Sequence, residues 1–497
     1  MLIWLYMKAV IIGSGIGGMA TAIRLASLGF ETEVFEQNSF YGGKINSKQI
    51  GAYRFDRGPS VFTEPHLIDE LLGSKGKNDH EFSYVKLPIS CCYFFEDGTS
   101  VALPTGSQAV ADVLSKELGE DKKNIYRFLK TLEHNYNAVY PVFIKVSLHR
   151  IGQWLNKNIL RAIRRIPRYG LFSTMNRVNS KNFKNNKTVQ IFNRFATYNG
   201  SDPFKSPGMF NIIAHLELNI GPFMPKGGMV AISDSVYKKA VDMGVRFHFD
   251  TRVEEICYKN GKVSGIKHSG GAVECELVTS NMDVHFTYEK LLPNLKGPSK
   301  ILSQEKSSSA IVFYWGISKS FDRLDVHNIF FSEAYEEEFN HLFLEKTLIE
   351  DPTVYIHISS KIEKSDAPVG CENWFVMVNA PIDQGQDWTT QKENLRTNVI
   401  KKLSRILNED IAPLIEVEEQ LDPAMMERMY SGKNGSIYGN ASNSTLASFY
   451  RHPNFSRHLD GLYFAGVTVH PGGGIPLALN SAAIVERCVK KDFSIGQ

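Results

Sequence analysis

The sequence predicts an α/β protein with a parallel-sheet lobe, at least one further lobe and a basic, helical segment. Three observations lead there. Residues 9–37, AVIIGSGIGGMATAIRLASLGFETEVFEQ, read as strand, glycine turn, helix and second strand. A chain of 497 residues is too long for one compact core and divides into lobes of about 100–200 residues. From His134 to Ser201 there is no aspartate or glutamate, whereas Lys145, Arg150, Lys157, Arg161, Arg164, Arg165, Arg168, Arg177, Lys181, Lys184, Lys187 and Arg194 all fall inside.

Composition narrows the class. With 43% hydrophobic and 22% charged residues the chain is an ordinary folded protein, which sets aside disordered and fibrous classes. The six cysteines, at 91, 92, 257, 275, 371 and 488, form no C-x-x-C pair and no zinc spacing, so they read as reduced thiols and no metal site is expected. The start MLIWLYMKAVIIG lacks a basic n-region and a small-residue cleavage site and reads as a strand, with Met7 an equally good start to Met1. No apolar run approaches the ~20 residues that span a bilayer, so the expected location is cytoplasmic, peripheral to the cytoplasmic membrane.

In the first unit, residues 9–12 are apolar and 10–12 β-branched, as a buried parallel strand requires, and Ala22, Leu25 and Ala26 follow at helical spacing. The turn Gly13-Ser14-Gly15-Ile16-Gly17-Gly18 assigns a role to each glycine: Gly13 for the bend, Gly15 for approach of a pyrophosphate, Gly18 for packing helix on strand. The helix start offers free N–H groups to phosphate. Glu36, followed by Gln37, ends the second strand about 20 residues later, where a carboxylate accepts from the adenosine ribose and disfavours a 2′-phosphate. The loop alone does not choose between FAD and NAD. Just beyond it Gly42-Gly43-Lys44 marks a second close approach of backbone to the cofactor.

Near the C-terminus LYFAG is a short buried strand ending at Gly466. His470-Pro471-Gly472-Gly473-Gly474 is then a phosphate-sized turn opening the helix that begins Ile475-Pro476. A helix N-terminus there suits a flavin pyrimidine carbonyl, which gains negative charge on reduction. His470 is a candidate proton donor, though a residue before proline reads first as a turn residue.

Glu36 with Gly42-Gly43-Lys44 resembles the extended motif of the FAD-containing glutathione-reductase-like flavoproteins, the branch that includes amine oxidases, protoporphyrinogen oxidases and carotenoid desaturases. Three further blocks resemble phytoene-type carotenoid desaturases: YRFDRGPSVFT (53–63), FMPKGGMVAISDSVYKKAVDMGVRFHFDTRVEEI (223–256) and GLYFAGVTVHPGGGIPLALNSAAIVE (461–486). The resemblance implies a Rossmann-like FAD-binding domain of the glutathione-reductase/amine-oxidase type with an inserted α+β substrate domain and a helical membrane-facing segment. It adds Gly58, Pro59, Ser60 and Val61, the backbone of Val253, and Asn281 to the residues beside FAD. It also implies oxidation of an acyclic carotenoid by hydride transfer to flavin N5, and names no catalytic residue. The segment YNGSDPFKSPGMF and the length resemble the 3,4-desaturases of 1-hydroxylated carotenoids. Phytoene and diapophytoene desaturases and carotenoid oxidases share every motif quoted. An amine oxidase, and a flavin-free prenyl-binding protein of the GDP-dissociation-inhibitor type, are the other readings.

The block order implies a discontinuous cofactor domain of residues 1–105, 222–290 and 420–497, with 106–221 and 291–419 for substrate and 134–201 as the basic segment. SAIVFYWGI and NWFVMVNAPI are strands expected to floor an apolar cavity. In IGQWLNKNILRAIRRIPRYGLF, Ile151, Leu155, Ile159 and Ile163 recur at helical period against arginines, with Trp154, Tyr169 and Phe172 nearby. Such a face suits anionic lipid, each charge near the surface contributing about 1 kcal/mol. A solvated charge run is the plainer alternative. No nucleic-acid-binding module is visible, and nothing sets an oligomeric state.

Overall fold

The computed structural model describes residues 7–73, 82–147, 149–150, 157–444, 447 and 450–495. Its first sheet has five parallel strands in the order Leu462–Phe464, Leu277–Ser280, Lys8–Ile12, Glu31–Phe35, Arg246–His248. The central strand alternates as its sequence demands. Ala9 and Ile11 pack into one core with the helices Ile16–Ser27, Val230–Asp242 and Ile475–Asp492. Val10 and Ile12 pack on the other face against the antiparallel strands Val253–Lys259 and Lys262–His268. The turn Gly227-Gly228-Met229 starts the helix Val230–Asp242, and the strand after it, Arg246–His248, lies beside Glu31–Phe35.

The second sheet has seven strands in the order Ile415–Leu421, Ser309–Ile317, Glu372–Ala380, Val354–Ile358, His327–Phe330, Ile89–Phe94, Ser100–Pro104. Ser309–Ile317 is buried throughout because both its faces are covered. Ile311, Phe313, Trp315 and Ile317 meet the helix Trp388–Leu407, and Ala310, Val312 and Tyr314 face the opposite way. Sequence order puts Ile89–Pro104 in the cofactor domain, but these residues join the second sheet: Cys92, Tyr93 and Phe94 run parallel to Asn328, Ile329 and Phe330. The remote partner strand supplies backbone pairing and apolar faces that no local pattern reveals.

The basic segment does not form one continuous face. Arg194 is buried against Glu217, Lys187 pairs with Asp97, and Arg150 makes a bidentate pair with Asp492. Its helix spans Lys157–Arg164; Ile151, Trp154 and Leu155 lie outside the described residues. Ile159 and Tyr169 turn into the core, whereas Ile163 is 47% and Phe172 87% exposed. Among the described residues no helix is long and apolar enough to cross a membrane.

Candidate active site

The opening turn is built by close contacts. Gly18 abuts the strand end so tightly that a Cβ there would stand 2.1 Å from the Gly13 carbonyl oxygen. The helix Ile16–Ser27 has no side chain capping its N-terminus, so its first N–H groups are free of side-chain acceptors. Gly42 lies beside Gly15, its N–H donating to the Ser14 carbonyl at 2.9 Å, with φ +89°, a conformation side chains resist. Asn281 stands between the two halves of the site: its Nδ2 donates to the Ala465 carbonyl at 3.0 Å, and Cβ atoms on Gly15, Gly17 or Gly466 would fall within 2.4–2.8 Å of its side chain.

Glu36 is 6% exposed and held from both sides. Its Oε2 accepts from the Ser14 N–H (2.8 Å) and hydroxyl (2.9 Å), and its Oε1 from the Asn38 N–H (2.9 Å) and side-chain amide (3.0 Å). Lys44 donates to the Ile437 carbonyl at 2.7 Å; burial brings its ammonium down to about 8, against the opposing charge of Asp283.

These elements open on one cavity of about 740 Å³. Gly13, Gly15, Ile16, Gly17, Glu36, Gln37, Gly42, Gly43, Lys44, Gly58, Pro59, Ser60, Val61, Val253, Asn281, Gly466, Gly473, Gly474, Ile475 and Pro476 all line it. Ser14 and Gly18 stand behind the wall, the first orienting Glu36 and the second seating the helix. The C-terminal helix also starts at this wall without a side-chain cap. The same cavity is also lined by the apolar side chains of Val139, Phe143, Met209, Ile213, Leu216, Ala310, Val312, Ile329 and Met377. The two strands expected to floor a cavity therefore do so.

His470 is not on the cavity lining. Its Nε2 lies 2.9 Å from the Val146 carbonyl, and burial drives the ring down to about 3, so it is a neutral donor to backbone and no proton source for the site. Sequence reasoning missed Glu64. This cavity-lining carboxylate sits on left-handed backbone (φ +52°), accepts from the Tyr136 hydroxyl at 2.5 Å through Oε1, and is raised by burial. Tyr355 was missed too: its hydroxyl lies 2.8 Å from both the Ser60 hydroxyl and His327 Nδ1.

A family model described as flavin containing amine oxidoreductase matches residues 16–485. The chain belongs to that family. Among curated relatives, a 1-hydroxycarotenoid 3,4-desaturase of Flavobacterium sp. (strain P99-3) is 46% identical over 478 residues, covering 96% of this chain and 98% of the relative. A 4,4'-diapolycopene oxygenase of Methylomonas sp is 30% identical, covering 98% of both. Solved structures with this fold include a cyclohexylamine oxidase from Brevibacterium oxydans IH-35A (TM-score 0.64, 14% identity, 98% and 99% of the two chains) and a putrescine oxidase bound to putrescine (TM-score 0.63, 13% identity, 99% of each). The cofactor is accordingly FAD. The residues present fit it: one cavity joins two uncapped helix starts, a buried lysine and an oriented carboxylate, and side chains at Gly15, Gly17, Gly42, Gly58, Gly466 and Gly473 of its wall would clash.

Proposed function

We propose that this chain is a FAD-dependent carotenoid desaturase, introducing the C-3,4 double bond of a 1-hydroxylated acyclic carotenoid. The observation that carries the reading is the 46% identity, over nearly both full lengths, to the Flavobacterium desaturase. The cavity, lined both by the glycine turns and by apolar side chains, supports it, because an apolar substrate can meet the flavin within the same space. When bound, flavin supplies the acceptor for the hydride removed from carbon.

In this reading Gly13–Gly17 and Lys44 hold the pyrophosphate, Glu36 with Asn38 the adenosine ribose, and the Val253 backbone the adenine. The turn Gly473–Pro476 holds the pyrimidine edge of the flavin. Residues 222–290 and 420–497, with the chain up to the strand at Ile89, form the cofactor domain. Glu64 accepts the second hydrogen as a proton on its carboxylate, with Tyr136 fixing the orientation of Oε1. Ile163 and Phe172, beside Arg164, Arg165 and Arg168, insert at the cytoplasmic membrane surface, from which the substrate comes.

The test is incubation of the purified protein and FAD with 1-hydroxylated and unhydroxylated carotenoids in liposomes, followed by chromatography and mass measurement. Loss of two hydrogens with a bathochromic shift from the hydroxylated substrate is expected. The 30% identity to the diapolycopene oxygenase favours one rival, terminal oxidation. Gain of oxygen would establish it, and peroxide release from amines would point to amine oxidation instead.

A further inference from the structure

Arg451 is a full positive charge, 3% exposed, in the wall of the cavity. Its Nη1 donates to the carbonyls of Tyr438 and Val467, each at 3.2 Å, and its Nη2 to the Asn440 carbonyl and Asn199 Oδ1, each at 3.1 Å. All four acceptors are neutral. Among the described residues Arg451 forms no ion pair and its Nε makes no hydrogen bond; a Cβ built on Gly472 would lie 3.4 Å from that nitrogen. Burial alone, with no opposing carboxylate, brings its guanidinium down to about 10. The ionisable groups around it are neutral at neutral pH: His149 and His470 are held below their usual range, and Tyr438 is pushed up to about 12.

A buried, hydrogen-bonded cation without a counter-charge costs several kcal/mol to keep, a cost offset when an anion arrives beside it. The turn Gly472–Gly474 and the uncapped start of Ile475–Asp492 lie against it and favour negative charge at the same spot. In the proposed desaturase this corner receives the pyrimidine edge of the flavin, and the role of Arg451 rests on that placement.

We infer that Arg451 is the counter-charge for reduced FAD, holding the cofactor as its anion once it has taken up two electrons and one proton. Oxidised FAD has no net charge on the ring system, so the pairing is made on reduction and favours it. Arg451 thereby sets how strongly the protein draws electrons from its substrate.

The test follows the reduced holoprotein under anaerobic conditions by its near-ultraviolet absorbance as pH is varied, alongside its reduction potential. In the unmodified protein the reduced flavin is expected to remain anionic through neutral pH. In Arg451→Gln the apparent pKa of the reduced flavin is expected to rise by about 1–3 units, the shift of an opposite charge removed from close range, and the potential to fall. Arg451→Lys should retain most of the effect. Neutral reduced flavin at pH 7 in the unmodified protein overturns the inference even if no variant folds. So does a Gln variant whose titration and potential superimpose on the unmodified ones. Failure of the unmodified protein to bind FAD at all overturns the flavin assignment itself, and the inference with it.

Discussion

Replacing Glu217 with leucine removes the counter-charge of the most deeply buried arginine in the substrate lobe. Arg194 is 6% and Glu217 2% exposed, and the carboxylate collects the guanidinium, the Tyr198 hydroxyl and, at 2.9 Å, the Ser90 hydroxyl. Arg194 keeps the Tyr93 hydroxyl, at 3.0 and 2.7 Å from Nε and Nη2, the Tyr198 hydroxyl at 3.4 Å from Nη1, and the ring faces of Tyr93, Phe195 and Tyr198. Those are neutral partners, and breaking one side of a buried pair costs about 3–5 kcal/mol. Replacing both partners with leucine removes the stranded charge, so the double variant Arg194→Leu with Glu217→Leu should recover about 2 kcal/mol or more of that loss, a strongly non-additive result. Urea unfolding followed by circular dichroism on the four proteins of the cycle measures it. Singles whose losses simply add in the double variant would show that the two charges are not coupled, and that burial strands neither of them.

Three further outcomes are expected of the same structure. Gly18→Ala puts a methyl group 2.1 Å from the Gly13 carbonyl oxygen, backbone that cannot swing aside, and should cost about 1–3 kcal/mol or more together with FAD retention, read by flavin absorbance after gel filtration. Burial pushes Glu33 up, but hydrogen bonds from Arg246, Lys8 and His248 outweigh it and hold the carboxyl at about 2. Its folded pKa thus lies below the ordinary value of 4.5, and its contribution, present above pH 4.5, is lost as pH falls toward 2. Thermal melts of Glu33→Gln should show a deficit at neutral pH that closes across that window. Glu64→Gln should lower turnover by about 10²–10⁴-fold without releasing FAD, and the acid limb of the pH–rate profile should vanish with it.

The opening βαβ unit was legible because each glycine, the helical period and Glu36 are local features, and the blocks at 53–63, 223–256 and 461–486 run through the cavity wall. Contacts made across hundreds of residues were not. Nothing in ISCCYFF announces its pairing with Asn328–Phe330. Arg194 looked like one more surface cation because its acid, Glu217, lies outside the acid-free window that contains it. Glu64 stands out only through a backbone angle that a glutamate seldom adopts, and Arg451 only through the carboxylates that are not there.

The order of strands in the first sheet also bears on how the protein is made. Lys8–Ile12 leaves the ribosome first, yet its neighbour Leu277–Ser280 and the outer strand Leu462–Phe464 emerge hundreds of residues later. At about 5–20 residues per second, closure of the sheet trails its beginning by on the order of a minute. Throughout that interval the nascent chain carries an unpaired apolar edge, a template for wrong pairing. The cofactor pocket, which needs Gly466 and Gly473–Pro476, cannot exist until those residues have been made. Flavin loading therefore waits for the strand and turn that follow residue 460, and chains cut short before it should aggregate rather than accumulate as folded intermediates.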